Sequence, residues 1–200
     1  MYRFQSLQRH WELNKSFVET HITTLKSVEG DGSGEFELLF SETVEWDFDY
    51  FPEYLRASTL SLSISLVENL LLSLCEDMAE ELNTKINLVK DRMPYINKYI
   101  LWLIHGCGIE IKIDEDVWIK IEAIRKVRNN FVHKIDKDIP EVIKEVISEM
   151  VSKIANDEKL ITNEFVDEAL CSISDLVKAI ELAYIKFYET KKSQNAELTD

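Results

Sequence analysis

The sequence predicts an all-α protein, an up-and-down bundle of about five to six helices with a short irregular or hairpin insertion near residues 35–48. Three observations lead there. Apolar residues recur three and four apart over most of the chain, the spacing that gathers them on one side of a helix. The 200 residues include only 5 Gly and 3 Pro, so long stretches run without a helix breaker. Apolar residues make up 46% of the chain, enough for a sizeable core and far from a disordered composition.

Each element has its own signal. Residues 2 to about 27 read as a helix with Phe4, Leu7, Trp11, Phe17 (with Val18), Ile22 and Leu25 facing inward. His10 and His21 lie on it without a metal-type partner and read as surface residues. Gly30-Asp31-Gly32-Ser33-Gly34 breaks the pattern. It is not a phosphate cradle, because no strand precedes it and no Lys-Ser/Thr follows. Glu35 to Phe48 mixes aromatic, β-branched and acidic residues, as a short hairpin or an irregular arm would. Pro52 suits the first turn of a long helix running to about Leu82. That helix is apolar nearly all round, which predicts a central, buried position.

Residues 84 to 104 read as a further helix, bent at Pro94. His105-Gly106-Cys107-Gly108 ends it as a turn, since the His-x-Cys pair has no other metal ligand near in sequence. Ile109 to Ile113 alternates like a short extended connector. Asp114 then caps a helix whose first turn carries Glu115 and Asp116, where negative charge is favoured. Val117, Ile121, Ile124, Val127 and Phe131 share its core-facing side. Asp138-Ile139-Pro140-Glu141 restarts a helix to about Ala155, with Asp138 and Glu141 as a capping pair. Thr162 or Asn163 caps the last helix, which runs through about Thr190 with Phe165, Leu170, Ile173, Leu176, Ile180 and Tyr184 inward. A single domain is expected over 1–192, its core at about 50–190 with residues 2–27 packed on it, and a polar, frayed tail at 193–200.

Charge and cysteine usage exclude several classes. A net charge of −14 disfavours broad, non-specific nucleic-acid binding, which needs many phosphates neutralised. Cys75, Cys107 and Cys171 are odd in number and widely spaced, matching neither a zinc site nor a secreted disulfide framework. They read as reduced thiols of a cytoplasmic protein. Met1-Tyr2-Arg3-Phe4 leads straight into an amphipathic helix, without a signal-peptide pattern. The most apolar run, Leu60 to Leu74, is short and interrupted by Ser, Glu68 and Asn69, so no membrane span is expected. Neither a cofactor nor a metal is implied.

One stretch stands apart. Arg128 falls in the middle of the apolar side of its helix, where an uncompensated ion costs several kcal/mol. Asn129 and His133 are four apart and stack on one flank, with Arg125 a turn before them. Guanidinium, amide and imidazole therefore share one arc at the end of one helix. Arg125, Lys126, Arg128, Lys134 and Lys137 make a small basic region in an acidic chain. On the long upstream helix, Ser61, Ser65 and Glu68 form a narrow polar stripe. Glu68 is the best carboxylate for Arg128. The other reading has it facing a water-filled groove or another basic residue.

Arg128-Asn129-Asn130-Phe131-Val132-His133 resembles the Arg-x(4–6)-His signature of the HEPN (higher eukaryotes and prokaryotes nucleotide-binding) domain. Asn129 supplies the polar residue that commonly follows the Arg. Trp118, Ile121, Ile124 and Val127 ahead of it, and Val132 within it, match the family's motif helix. Asp91-Arg92 with Ile96, Tyr99 and Ile100 resembles the helix before it. The likeness covers roughly residues 50 to 185, and its specific part is the motif. Some relatives carry a Tyr two residues after the His, the site of a neutralising nucleotidyl transfer. Lys134 and Ile135 stand here instead.

The resemblance implies a metal-independent endoribonuclease, a toxin, phage-defence effector or RNA-processing enzyme, with Arg128, Asn129 and His133 catalytic. It also implies a homodimer whose two motif helices line one cleft. RNA is then the substrate, and an antitoxin or other inhibitor protein a possible partner. Such cleavage uses the neighbouring 2′-OH as nucleophile and leaves a 2′,3′-cyclic phosphate and a 5′-OH. An imidazole, with an ordinary pKa of about 6.5, can move the proton near neutral pH. The alternatives are a catalytically silent HEPN-like module that binds a nucleotide or a partner protein, and an unrelated helical scaffold.

Overall fold

The computed structural model describes residues 2–28, 51–133, 141, 144–145 and 161–197. These residues are all-α, as expected: five helices and no strand are seen among them. They are α1 (Tyr2–Val28), α2 (Phe51–Glu81), α3 (Tyr95–His105), α4 (Glu115–His133) and α5 (Asn163–Glu197). The expected Gly-rich break at 30–34, the hairpin or arm near 35–48 and the helix from Asp138 to Ala155 with its capping pair lie outside the described residues. The chain forms two compact units, Met1–Ser63 with Ala123–Leu170 and Ile64–Glu122 with Cys171–Asp200. Helices α2, α4 and α5 each contribute residues to both.

In the first unit, α1 buries Phe4, Leu7, Trp11 and Val18. Phe17, expected inward, is 64% exposed. Of two adjacent apolar residues only one can share the stripe, and the steps of four from Leu7 to Trp11 and seven from Trp11 onward select Val18. The outward Phe17 ring stacks on His21 at 6.1 Å, and His10 is exposed beside Asn14. The other buried hydrophobic side chains come from the start of α2 (Ala57, Leu60), the end of α4 (Ala123, Ile124, Val127) and Ile161 to Leu170, with Thr59 and Ser63 of α2 buried among them. Thr162 rather than Asn163 caps α5, its hydroxyl accepting the Phe165 N–H at 3.2 Å.

A polar clamp ties α1 to α5 inside this unit. The Trp11 indole N–H donates to Asp167 Oδ1 at 2.6 Å, and Lys15 Nζ donates to Asp167 Oδ2 at 2.6 Å. The bond to Asp167 raises the Lys15 pKa against the opposing effect of burial. Trp11 is only 1% exposed, so loss of its acceptor would strand a buried donor. Asp167→Ala should therefore lower unfolding stability by about 1–3 kcal/mol in urea titration. Asp167→Asn keeps an oxygen for the indole and should lose less than half of that, because a part-exposed ion pair alone contributes about 1 kcal/mol or less.

In the second unit, Leu71, Cys75 and Met78 of α2 and Leu103 of α3 are fully buried, as are Ile173 and Leu176 of α5. The sequence, apolar nearly all round, predicts a central, buried α2. Instead, burial follows one stripe, with Ile64, Val67, Leu71, Cys75 and Met78 at 0–1% exposure in this unit. In the first unit Leu62 of the same helix is 49% exposed. By length and composition α2 would also suffice to cross a bilayer, while the fully buried stripe is what a core helix shows.

The expected helix over 84–104 is shorter. Asn83 takes a left-handed φ of 48° and closes α2, with the Thr84 N–H reaching back to the Ala79 carbonyl at 2.9 Å. Helix then resumes only after Pro94, whose ψ of 149° is extended, so proline starts α3 instead of bending it. Asp91 thereby lies before the helix, accepting the Met93 N–H at 2.9 Å, with Lys98 Nζ 2.7 Å from its carbonyl.

The His105–Gly108 turn forms as expected. Gly106 donates to the Trp102 carbonyl at 2.7 Å, and a Cβ on it would lie 2.7 Å from that same oxygen. Gly106→Ala should therefore cost about 1–3 kcal/mol, read as a lowered thermal midpoint. Residues 109–113 alternate buried or half-buried with exposed but form no regular element, and the Ile111 N–H donates to the Ile109 carbonyl at 3.1 Å in a tight turn. At the other end of the unit, α5 continues past Thr190 to Glu197, longer than the sequence spacing suggested. Polar residues favourable to helix extend it beyond the last core contact.

Candidate functional site

The motif helix α4 begins where Asp114 predicts. Its carboxylate accepts the Asp116 N–H at 3.0 Å and its carbonyl the Trp118 N–H at 3.0 Å. Glu115 and Asp116 fill the first turn, where the exposed N–H groups favour negative charge. Ile121, Ala123, Ile124 and Val127 are buried at 0–5% exposure, fixing the rotation of the helix about its axis. Val117 and Phe131, placed on the same side by spacing, are only half-buried.

The helix continues unbroken through His133, so Arg128, Asn129 and His133 all lie on one element, in its last two turns. At 100° per residue His133 lies about 140° around the axis from Arg128 and about 7.5 Å along it. Asn129, about 40° from His133 and one turn before it, continues the row that Arg125 begins. Arg125, Arg128, Asn129 and Asn130 are half-buried, and Lys126 is exposed. Arg128 has its Nε buried, and both Arg125 and Arg128 have partners within the molecule. The His133 side chain, Lys134 and Lys137 lie outside the described residues.

Glu68 is half-buried and likewise engaged within the molecule. It belongs to the second unit, whereas Arg128 belongs to the first. Ser61 and Ser65 of the same stripe are also half-buried and engaged.

Two residues of the first unit were missed from sequence. Tyr54 of α2 packs edge-on against Phe131, with ring centroids 6.3 Å apart and planes at 89°. It braces α4 three residues beyond Arg128. Nothing in local spacing marks a contact between residues so far apart. Arg56, half-buried on α2, is the other. Burial lowers its pKa while Glu53 and Glu164 oppose that. Its Nη1 donates to Asn163 Oδ1 at 3.4 Å, and its buried Nε has no partner among the described residues. A charged residue in an apolar run was the available signal, as it was for Arg128.

Elsewhere the chemistry is thinner. Among the described residues no three His, Cys, Asp or Glu side chains gather as metal ligands would. His105 is exposed and Cys107 buried. A shallow hollow of about 540 Å³ in the second unit is lined by Glu81, Tyr188, Glu189, Lys191 and Lys192. Glu81 is already held there by the Tyr188 hydroxyl and by Lys191 Nζ at 2.6 Å. Two carboxylates against two ammonium groups select no ligand charge.

Comparison of the chain with protein-family models, with curated proteins and with solved structures returned no match.

Proposed function

We propose that the protein is a metal-independent endoribonuclease of HEPN type, acting as a toxin or phage-defence effector on cytoplasmic RNA. One observation carries this reading: Arg-Asn-x-x-x-His spans the last two turns of a single continuous helix. His133 takes the proton from the 2′-OH or gives one to the departing 5′ oxygen. Arg128 offers fixed charge and paired donors to the phosphate as charge builds on it. Asn129, one turn before His133, orients the imidazole or donates to a non-bridging oxygen. Arg125 and Lys134 add to the local positive field, which the chain's net charge of −14 otherwise lacks.

Each chain brings one motif histidine, while the reaction needs both a base and an acid. Two copies related by a twofold axis would supply both. The acidity of the chain suits an antitoxin or inhibitor with a basic surface. The test is incubation of the full chain with total tRNA and a single-stranded oligonucleotide in EDTA, followed by end-group analysis. Ends bearing 2′,3′-cyclic phosphate and 5′-OH are expected. Products with 3′-OH ends, or no products, would overturn the proposal.

A second reading draws on the same guanidinium. Arg128 already has partners within the molecule, which favours a silent module that binds a nucleotide or a partner protein without cutting. Nucleotide binding by calorimetry, with every RNA left intact, would select it.

A further inference from the structure

The outward side of α5 in the second unit carries a seam with no use in the proposed reaction. Cys171, Asp175, Lys178, Leu182, Ile185, Glu189 and Lys192 follow one another at alternating steps of four and three. Those steps average 3.5 residues, so the seven side chains keep to one line along the helix, with an apolar pair flanked by two charged residues on either side. All seven are exposed, and the two apolar residues at the centre stand well out, Leu182 at 67% and Ile185 at 48% exposure. Lys186, which borders the seam, is drawn aside to Glu110 at 3.1 Å.

We infer that this face is a self-association surface whose occupant is the α5 of a second copy, packed antiparallel. The charge pattern selects both the partner and the direction. With a twofold axis between Leu182 and Ile185, each Leu182 meets Ile185 of the second copy. Each Lys178 then meets a Glu189, and each Asp175 meets a Lys192. Every charged position in the seam therefore faces its opposite. A parallel alignment would set Lys178 against Lys178 and Glu189 against Glu189, which repels. Within one copy Lys178 already pairs with Asp175 at 3.1 Å. Association extends that pair into a four-residue alternating row on each side of the axis. The seam runs for about 32 Å, from Cys171 to Lys192. Its apolar part is small, so a dimer in the micromolar class is expected.

This surface does not rest on the ribonuclease reading. Mass is the readout, and a dimer can form along α5 whether or not RNA is cut. The experiment is sedimentation of the full chain over about 1–500 μM, a range bracketing that class. Wild-type protein should show one concentration-dependent doubling of mass through α5, from monomer to dimer, or from dimer to tetramer where the motif helices already pair. Leu182→Glu should weaken association at least about tenfold with helix content unchanged, since the side chain is exposed in the monomer. Lys178→Glu and Glu189→Lys should each weaken it alone. Their equimolar mixture should regain it, because the mixed dimer restores opposite charges at both Lys178–Glu189 positions. A wild-type chain with no such doubling, a Leu182→Glu variant that doubles as readily as wild type, or a mixture no heavier than its separate components would overturn the inference. An undiminished Leu182→Glu dimer that still cuts RNA would leave the ribonuclease reading standing.

Discussion

His133→Ala and Arg128→Ala should each abolish cleavage of single-stranded RNA in EDTA. A positioned general acid or base contributes about 10²–10⁴-fold, and a preorganised donor to the developing charge about 10²–10³-fold. Either loss takes a modest ribonuclease below detection. Arg128→Lys should not rescue, because an ammonium cannot present two parallel donors to one phosphate. Asn129→Ala should slow cleavage less than either, since it acts through His133 or on one oxygen. Substrate chemistry gives an independent check: a 2′-deoxy nucleotide at the scissile position should resist cleavage wholly.

Arg128 is half-buried and engaged, so its alanine variant has a second way to lose activity. Circular dichroism and a urea titration separate the two. His133→Asn covers the other case, keeping a polar side chain while removing the titratable group. Activity that survives a folded Arg128→Ala or His133→Asn variant refutes the proposed chemistry. A fall in rate on acidification in wild type would mark a group acting as the base.

What could be foreseen followed from how local each signal is. Asp114 caps its helix through a bond spanning two residues, so its sequence context is sufficient, whereas Thr162 and Asn163 are equally good caps by type and only the Phe165 N–H bond selects Thr162. The Arg128-Asn129-His133 register is likewise a property of one helix. Pro94 is ambiguous in sequence, because a proline can bend a helix or begin one. The outcome turned on Asn83, which had already closed α2 through a left-handed turn. Phe17 and Val18 differ by one step of 100°, and only the packing of α1 distinguishes them. The Tyr54–Phe131 contact and the Trp11–Asp167 bond join residues distant in sequence, where periodicity is silent. The one-sided burial of α2 is hard to read because its only polar stripe, Ser61, Ser65 and Glu68, is narrow and apolar residues such as Leu62 occupy the exposed side as well.

The second large effect is alkaline loss of stability through the second unit. Cys75 has no exposed surface, and its Sγ lies 3.8 Å from the Tyr99 carbonyl. Burial, with smaller repulsions from Cys107 and Glu76, pushes its thiol from 9.0 up to about 12. Tyr99 and Cys107 are raised as well, chiefly by burial. These groups are neutral when protonated, and folding holds the proton on. Their contribution is thus fully present below the unfolded pKa. It is lost as pH rises from about 9 toward 12, where the unfolded chain ionises first. By pH 10.5 Cys75 alone should remove about 2 kcal/mol. Self-repulsion in so acidic a chain also grows with pH, so the slope must be compared between variants. Cys75→Ala should start less stable, because it leaves a small cavity, yet lose less stability between pH 8 and 10.5. Lys15, whose raised pKa matters only above about 10.5, stays outside that window. Equal slopes for wild type and Cys75→Ala would mean that the buried thiol is not what limits the fold in alkali.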